Sequence, residues 1–156
     1  MGVPVVTLAY GLTNLLYFCD VALLMTLVAV WCESALLVSM PAVGILLPQL
    51  LWQVDFLGQL FGLALTGMTG YMFDPHNTLF TRGLSFFHFW LPIMLIWLIR
   101  LLGYDRRAFI AWTLLAWGLM LVCFFWMPAP PAPVDNLNLP VNINYVHGFS
   151  DQKAQA

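Results

Sequence analysis

The chain has 156 residues, enough for one soluble domain, but 62% of them are hydrophobic and only 8% charged, against roughly 45–50% and about 25% in soluble proteins. With a mean hydropathy of +0.89, its five basic and seven acidic side chains are too few to cover a water-facing surface, which excludes a soluble enzyme, and the high apolar content excludes a disordered chain. A net charge of −2 and a pI near 5.8 offer no positive footprint for nucleic acid, so the composition is that of an integral membrane protein.

The opening residues Met1 to Val6 carry no positive n-region and no clear cleavage site, and Val6 stands where N-myristoylation needs Ser or Thr. A bilayer core about 30 Å thick takes about 20 mostly apolar helical residues. Four stretches fit: Leu12 to Trp31, Ala35 to Gln53, Gly83 to Ile99 and Phe109 to Met127. The first ends at the polar knot Cys32-Glu33-Ser34, and the second contains Pro41, Gly44 and Pro48 and reads as an interrupted helix. Links as short as 32–34 and 101–107 predict two antiparallel hairpins standing side by side.

Between the hairpins, Phe56 to Leu65 is apolar but too short to cross, and Asp55 and Gln59 lie one turn apart on it. An interfacial or re-entrant segment over about 55–66 fits this pattern. Gly58 and Gly62 form a G-x-x-x-G pair that admits either close approach of another helix or chance flexibility. Asp74-Pro75-His76, with His147 or Asp151 as further donors, is a turn signal before it is a metal site, since zinc needs three or four ligands. Cys19, Cys32 and Cys123 form no C-x-x-C pair and read as small buried hydrophobes.

The charge distribution sets the expected orientation. Arg100, Arg106 and Arg107 cluster in the last short link, which the positive-inside rule places in the cytoplasm. Both termini then face outside, and an outward N-terminus without a charged flank points to a further span ahead of the first. Past Met127 the run from Pro128 to Pro133 predicts a polyproline-like spacer leading the chain roughly 18 Å away at about 3.1 Å per residue. The tail beyond it alternates Asn with apolar residues. Asn142, Asn144 and Tyr145 are its candidate docking residues, in an extended segment lying across a partner surface.

The expected fold is therefore an all-α membrane protein with about four transmembrane helices in two hairpins. Residues 1–127 form the membrane domain, and 128–156 a Pro-rich linker and extramembrane tail.

Ionisable and polar groups inside spans are the functional candidates. Asp20 lies within the first span, and His88 lies within Phe86-Phe87-His88-Phe89-Trp90. Pro92 cannot donate to the carbonyl of His88, nor Pro41 and Pro48 to those of Leu37 and Gly44, and carbonyls freed in this way must face protein, water or a ligand. Asp20, His88, Gln49 and Gln53 share the outer half of the membrane. They suit a polar clasp between helices, a proton-coupled site or a lipid-headgroup pocket. His88 among aromatic rings also admits a haem or chlorophyll-type pigment, with no C-x-x-C-H or second intramembrane histidine to strengthen it. Without a catalytic motif, the leading expectation is a non-catalytic membrane subunit that binds lipids and packs with other integral membrane subunits. A small transporter or lipid-handling protein using Asp20 and His88 is the alternative, and a pigment-bearing redox or photosynthetic subunit the third.

Several segments carry a family resemblance: Phe18 to Leu24, Gly70 to Pro75, Arg82 to Pro92, Gly103 to Ala108, and Asn142-Ile143-Asn144-Tyr145-Val146-His147-Gly148. In these the chain resembles uncharacterised bacterial polytopic inner-membrane proteins described simply as membrane-associated. The resemblance covers nearly everything after about Leu15, and it implies a helical fold, a bacterial inner membrane and extra membrane sequence ahead of the first segment. It implies no activity and assigns no functional residue.

Overall fold

The helices follow from apolar runs bounded by particular stop signals. The computed structural model describes residues 14–63, 65–75, 79–132 and 141–148. Among these residues the fold is all-helical, without strands: α1 (Phe18–Cys32), α2 (Ala35–Leu60), α3 (Leu79–Ser85), α4 (Phe87–Leu102) and α5 (Ala108–Trp126). Short 3-10 turns occupy Asn14–Leu16, Gly70–Met72 and Ile143–Tyr145. Three helical stretches are long and apolar enough to cross a membrane: α2 with 26 residues, Arg82–Leu102 with 21 and α5 with 19. The apolar rings left exposed at the helix ends, such as Trp31, Phe61 and Trp126, suit an apolar neighbour and not water.

α1 departs from the expected first span. It begins at Phe18 because Tyr17 is extended (φ −62°, ψ 138°), and its 15 residues reach about 22 Å at 1.5 Å per residue. It ends at Glu33 in the left-handed region (φ 46°), after which the Ser34 hydroxyl accepts the Leu37 N–H and starts α2. This two-residue link makes α1 and α2 an antiparallel hairpin. Ala22, Thr26 and Ala29, fully buried on one face of α1, are small enough to let the two backbones approach.

α2 also differs from expectation. It passes unbroken through Pro41 and Pro48 and continues past Gln53 to Leu60, so residues 55–60 extend the helix and do not form a separate interfacial segment. Its stop is a Schellman motif: Gly62 N–H donates to Gln59 O (3.0 Å) and Leu63 N–H to Gly58 O (2.9 Å), with Gly62 at φ +78°. The Gly58/Gly62 pair therefore serves this turn. A Cβ on Gly58 would sit 2.8 Å from the Leu63 carbonyl oxygen, so the close approach is by the returning chain and not by another helix.

α2 is the hub of the molecule. α1, α4 and α5 each pack on it, and α4 and α5 meet α2 more than they meet each other despite their short link. Side-by-side hairpins are thus replaced by three helices around one. Leu91, Leu95 and Leu98 of α4 and Ala108 and Trp112 of α5 join Val38, Ala42 and Ile45 of α2 in one core. Gly44 permits the α2–α5 crossing, because a Cβ there would fall 1.8 Å from the Trp112 indole.

At the end holding the arginine link, Asp105 N–H donates to the buried Ser39 hydroxyl (3.0 Å), and Asp105 pairs with Arg107 at 2.8 Å. The same arginine N–H groups that donate to the Asp105 carboxylate hold it below the usual carboxylate range.

Residues 141–148 of the tail lie back against the helices. Asn142 N–H donates to the Pro128 carbonyl (3.1 Å), so the chain has returned to the end of α5. The segment is not extended. Asn142 (φ 52°), Asn144 (φ 58°) and Tyr145 (φ 58°) are left-handed, a conformation that asparagine tolerates better than most residues.

Candidate functional site

The polar candidates gather at the end of the helices opposite the arginine link. Pro92 leaves the His88 carbonyl without its helical donor, and Gln53 Nε2 donates to it across the α2–α4 interface at 2.7 Å. The His88 ring stacks on Trp52 (centroids 4.6 Å apart) and lies 4.2 Å from the Phe87 ring. Its Nδ1 stands 3.0 Å from the Ser85 carbonyl. A carbonyl can only accept, so the neutral ring carries its proton on Nδ1 and its lone pair on Nε2. That tautomer suits an axial ligand, but aromatic rings flank His88, and the nearby pocket is bordered by its neighbours Phe87 and Trp90.

Asp20 occupies the first turn of α1. Its carboxylate has no hydrogen bond or ion pair among the described residues. With Leu23, Gly83, Leu84, Phe87 and Trp90 it borders a half-open pocket of about 330 Å³. Gln49 is 2% exposed, and neither amide atom has a hydrogen-bond partner among the described residues. Of the four intramembrane candidates, Gln53 and His88 are joined directly, Asp20 lies against the helix that carries His88, and Gln49 is buried within α2 without a bond to the other three.

Residues that sequence reasoning passed over complete the arrangement. The Tyr71 phenol lies beside Ser85 and Trp52 and within electrostatic reach of Asp20 and Cys19, and burial pushes its ionisation above the usual phenol range. Trp52, 5% exposed, stacks on Phe56 and meets Phe89 edge-on. Asp55 is fully buried and accepts from Thr66 N–H (2.6 Å), Gly67 N–H (3.1 Å), Thr69 N–H (3.0 Å) and the Thr69 hydroxyl (2.6 Å). It thereby ties the segment after α2 back onto that helix. The only sequence signal for this was a carboxylate followed by a Thr/Gly-rich stretch, Thr66-Gly67-Met68-Thr69.

Asn142 and Asn144 dock within the chain itself. Asn144 Oδ1 accepts the Phe18 N–H (3.0 Å) while its Nδ2 donates to Leu16 O (2.8 Å), so the tail supplies α1 with an N-terminal cap from 126 residues away. Asn142 Oδ1 accepts the His147 N–H (2.9 Å) and its Nδ2 donates to Gly148 O (2.8 Å). The His147 ring stacks on Phe124 at 5.1 Å, and Tyr145 is half exposed. The Asp74 carbonyl accepts from Arg82, while His76 and Asp151 lie outside the described residues. No group of three or more metal-ligating side chains occurs among the described residues.

Comparison with protein-family models, with curated proteins and with solved structures gave no match.

Proposed function

We propose that the protein is a non-catalytic integral membrane subunit that packs, together with lipid, against other helical membrane proteins. The observation that carries this reading is where the polar groups are spent. Gln53 closes the carbonyl freed by Pro92, Asp55 holds the segment after α2, and Asn144 caps α1. Each of these three side chains serves the chain's own architecture. A broad apolar surface is left outward, including Trp117 near the middle of α5 at 62% exposure. Tryptophan in lipid favours the two interfaces over mid-span, so a mid-helix indole favours a protein neighbour.

In this reading all four of α1, α2, Arg82–Leu102 and α5 cross a bacterial inner membrane. The arginine link is cytoplasmic and the tail periplasmic, in keeping with the resemblance to polytopic inner-membrane proteins.

Site-specific photocrosslinking in native membranes tests the proposal. A photoreactive residue at Trp117 is expected to give one reproducible protein adduct of defined mass, and one at Leu47 a different pattern. Lipid adducts alone from every exposed face, with the purified chain a monomer, would sink it.

A further inference from the structure

We infer that the pocket beside Asp20 is a binding site for a primary ammonium group carried on an apolar chain, the chemistry of an ethanolamine lipid headgroup. The pocket joins α1 to the helices that follow Arg82. Asp20 and Leu23 stand on one side, and Gly83, Leu84, Phe87 and Trp90 on the other. Its size, about 330 Å³, is at the lower end for small-molecule sites, so it takes a head group and the start of a chain and not a folded partner. Of its six bordering residues only Asp20 is ionisable, and that carboxylate has no hydrogen bond or ion pair among the described residues.

A carboxylate facing apolar walls is better placed when a donor reaches it. Arginine and lysine are missing from the pocket wall, so the donor must come from outside those six residues. A primary ammonium brings three N–H donors and a positive charge, and the Phe87 and Trp90 rings add attraction for a cation over an aromatic face. The remaining wall, Leu23 and Leu84, suits the hydrocarbon that follows.

Depth agrees with this chemistry. Asp20 is the third residue of α1, about 3 Å from its start at 1.5 Å per residue, in the end turn that a crossing α1 would present to the headgroup layer. The pocket is also half open, so a lipid can enter sideways. Nothing in this inference depends on the subunit reading, because the pocket is formed by this chain alone.

Native mass spectrometry of the full chain in detergent, titrated with phosphatidylethanolamine or phosphatidylglycerol of the same acyl chains, tests it. The ethanolamine lipid is expected to form adducts roughly tenfold more readily, the scale of one charge-assisted hydrogen bond, and Asp20→Asn to remove that preference. Gly83→Leu, which fills the pocket and leaves Asp20 in place, is expected to remove it as well. A Cβ at Gly83 meets nothing within 4 Å, so the added side chain starts in open space, and this variant tests the pocket independently of Asp20→Asn.

Dodecylammonium separates the two sources of this chemistry. Competition with the ethanolamine lipid for wild-type chain assigns the site to the membrane lipid. Binding of dodecylammonium alone, abolished by Gly83→Leu, supports the ammonium site but assigns it to a free amphiphilic amine. Equal binding of both lipids by wild-type chain without dodecylammonium binding, or a preference that survives both substitutions, would overturn the inference.

Discussion

Gln49 and Gln53 lie one turn apart on α2, and their surroundings set them opposite tasks. Gln53 answers the His88 carbonyl that Pro92 leaves open, whereas the Gln49 amide is buried without a hydrogen-bond partner among the described residues. Gln53→Leu is expected to destabilise the fold by about 1 kcal/mol, the usual size of an interhelical hydrogen bond in a membrane. In a Pro92→Ala background the residue-92 N–H can close the carbonyl instead, so the same substitution should cost less, as a double-mutant cycle of unfolding in mixed micelles would read.

Gln49→Leu should be neutral or stabilise by about 1 kcal/mol, because it removes an unpaired amide from an apolar core. A clear loss of stability would show that the amide has a partner. Both glutamines were legible in the sequence as polar groups at membrane depth. Which of them met a carbonyl was not, since that depends on how α4 is rotated against α2.

At the scale of elements, the turns and crossings follow from a few small residues. Gly44→Ala drives a methyl into the Trp112 indole. It is expected to cost about 1–3 kcal/mol, as overpacking does, with partial recovery when Trp112→Phe is added. Asp55→Asn should release the segment at 65–69 at a cost of roughly 3 kcal/mol, given several charge-assisted bonds. Limited proteolysis there, with α2 intact, reads the effect.

The Asp105–Arg107 link has a sign set by pH. Hydrogen bonding to Arg107 depresses the folded value of Asp105, so its contribution is complete above the ordinary aspartate value of about 3.9 and is lost as pH falls through the lower folded value. Asp105 accepts the Arg107 N–H at 2.9 Å, so that amide resonance should titrate with a midpoint below the ordinary value. A midpoint at or above it would remove the link as a stabilising contact.

Across the whole molecule, the tail and α1 depend on each other. Asn144→Ala leaves the Phe18 N–H and Leu16 carbonyl without their partner and should cost about 1 kcal/mol, the size of a lost helix cap. It should also raise protease cleavage near residues 141–148. Asn144→Asp keeps the acceptor and loses the donor, so its effect should be smaller.

Composition and hydropathy were enough to anticipate the all-helical class and the apolar stretches that became α2, Arg82–Leu102 and α5, each long and apolar enough to cross a membrane, because these are sums over neighbouring residues. Proline chemistry also marked the His88 carbonyl, since the missing N–H is a local fact. Tertiary structure decided the rest. α2 runs on to Leu60 because Pro41 and Pro48 sit within a packed helix and the first complete stop is the Schellman turn at Gly62. α4 and α5 gather on α2 because Gly44 admits the Trp112 indole and because Val38, Ala42 and Ile45 share one core with Leu91, Leu95 and Leu98. The asparagine tail turns inward because a distant helix start needs an acceptor. Each outcome is a choice of partner between segments far apart in the chain, and local sequence records what each group needs without recording which group comes to meet it.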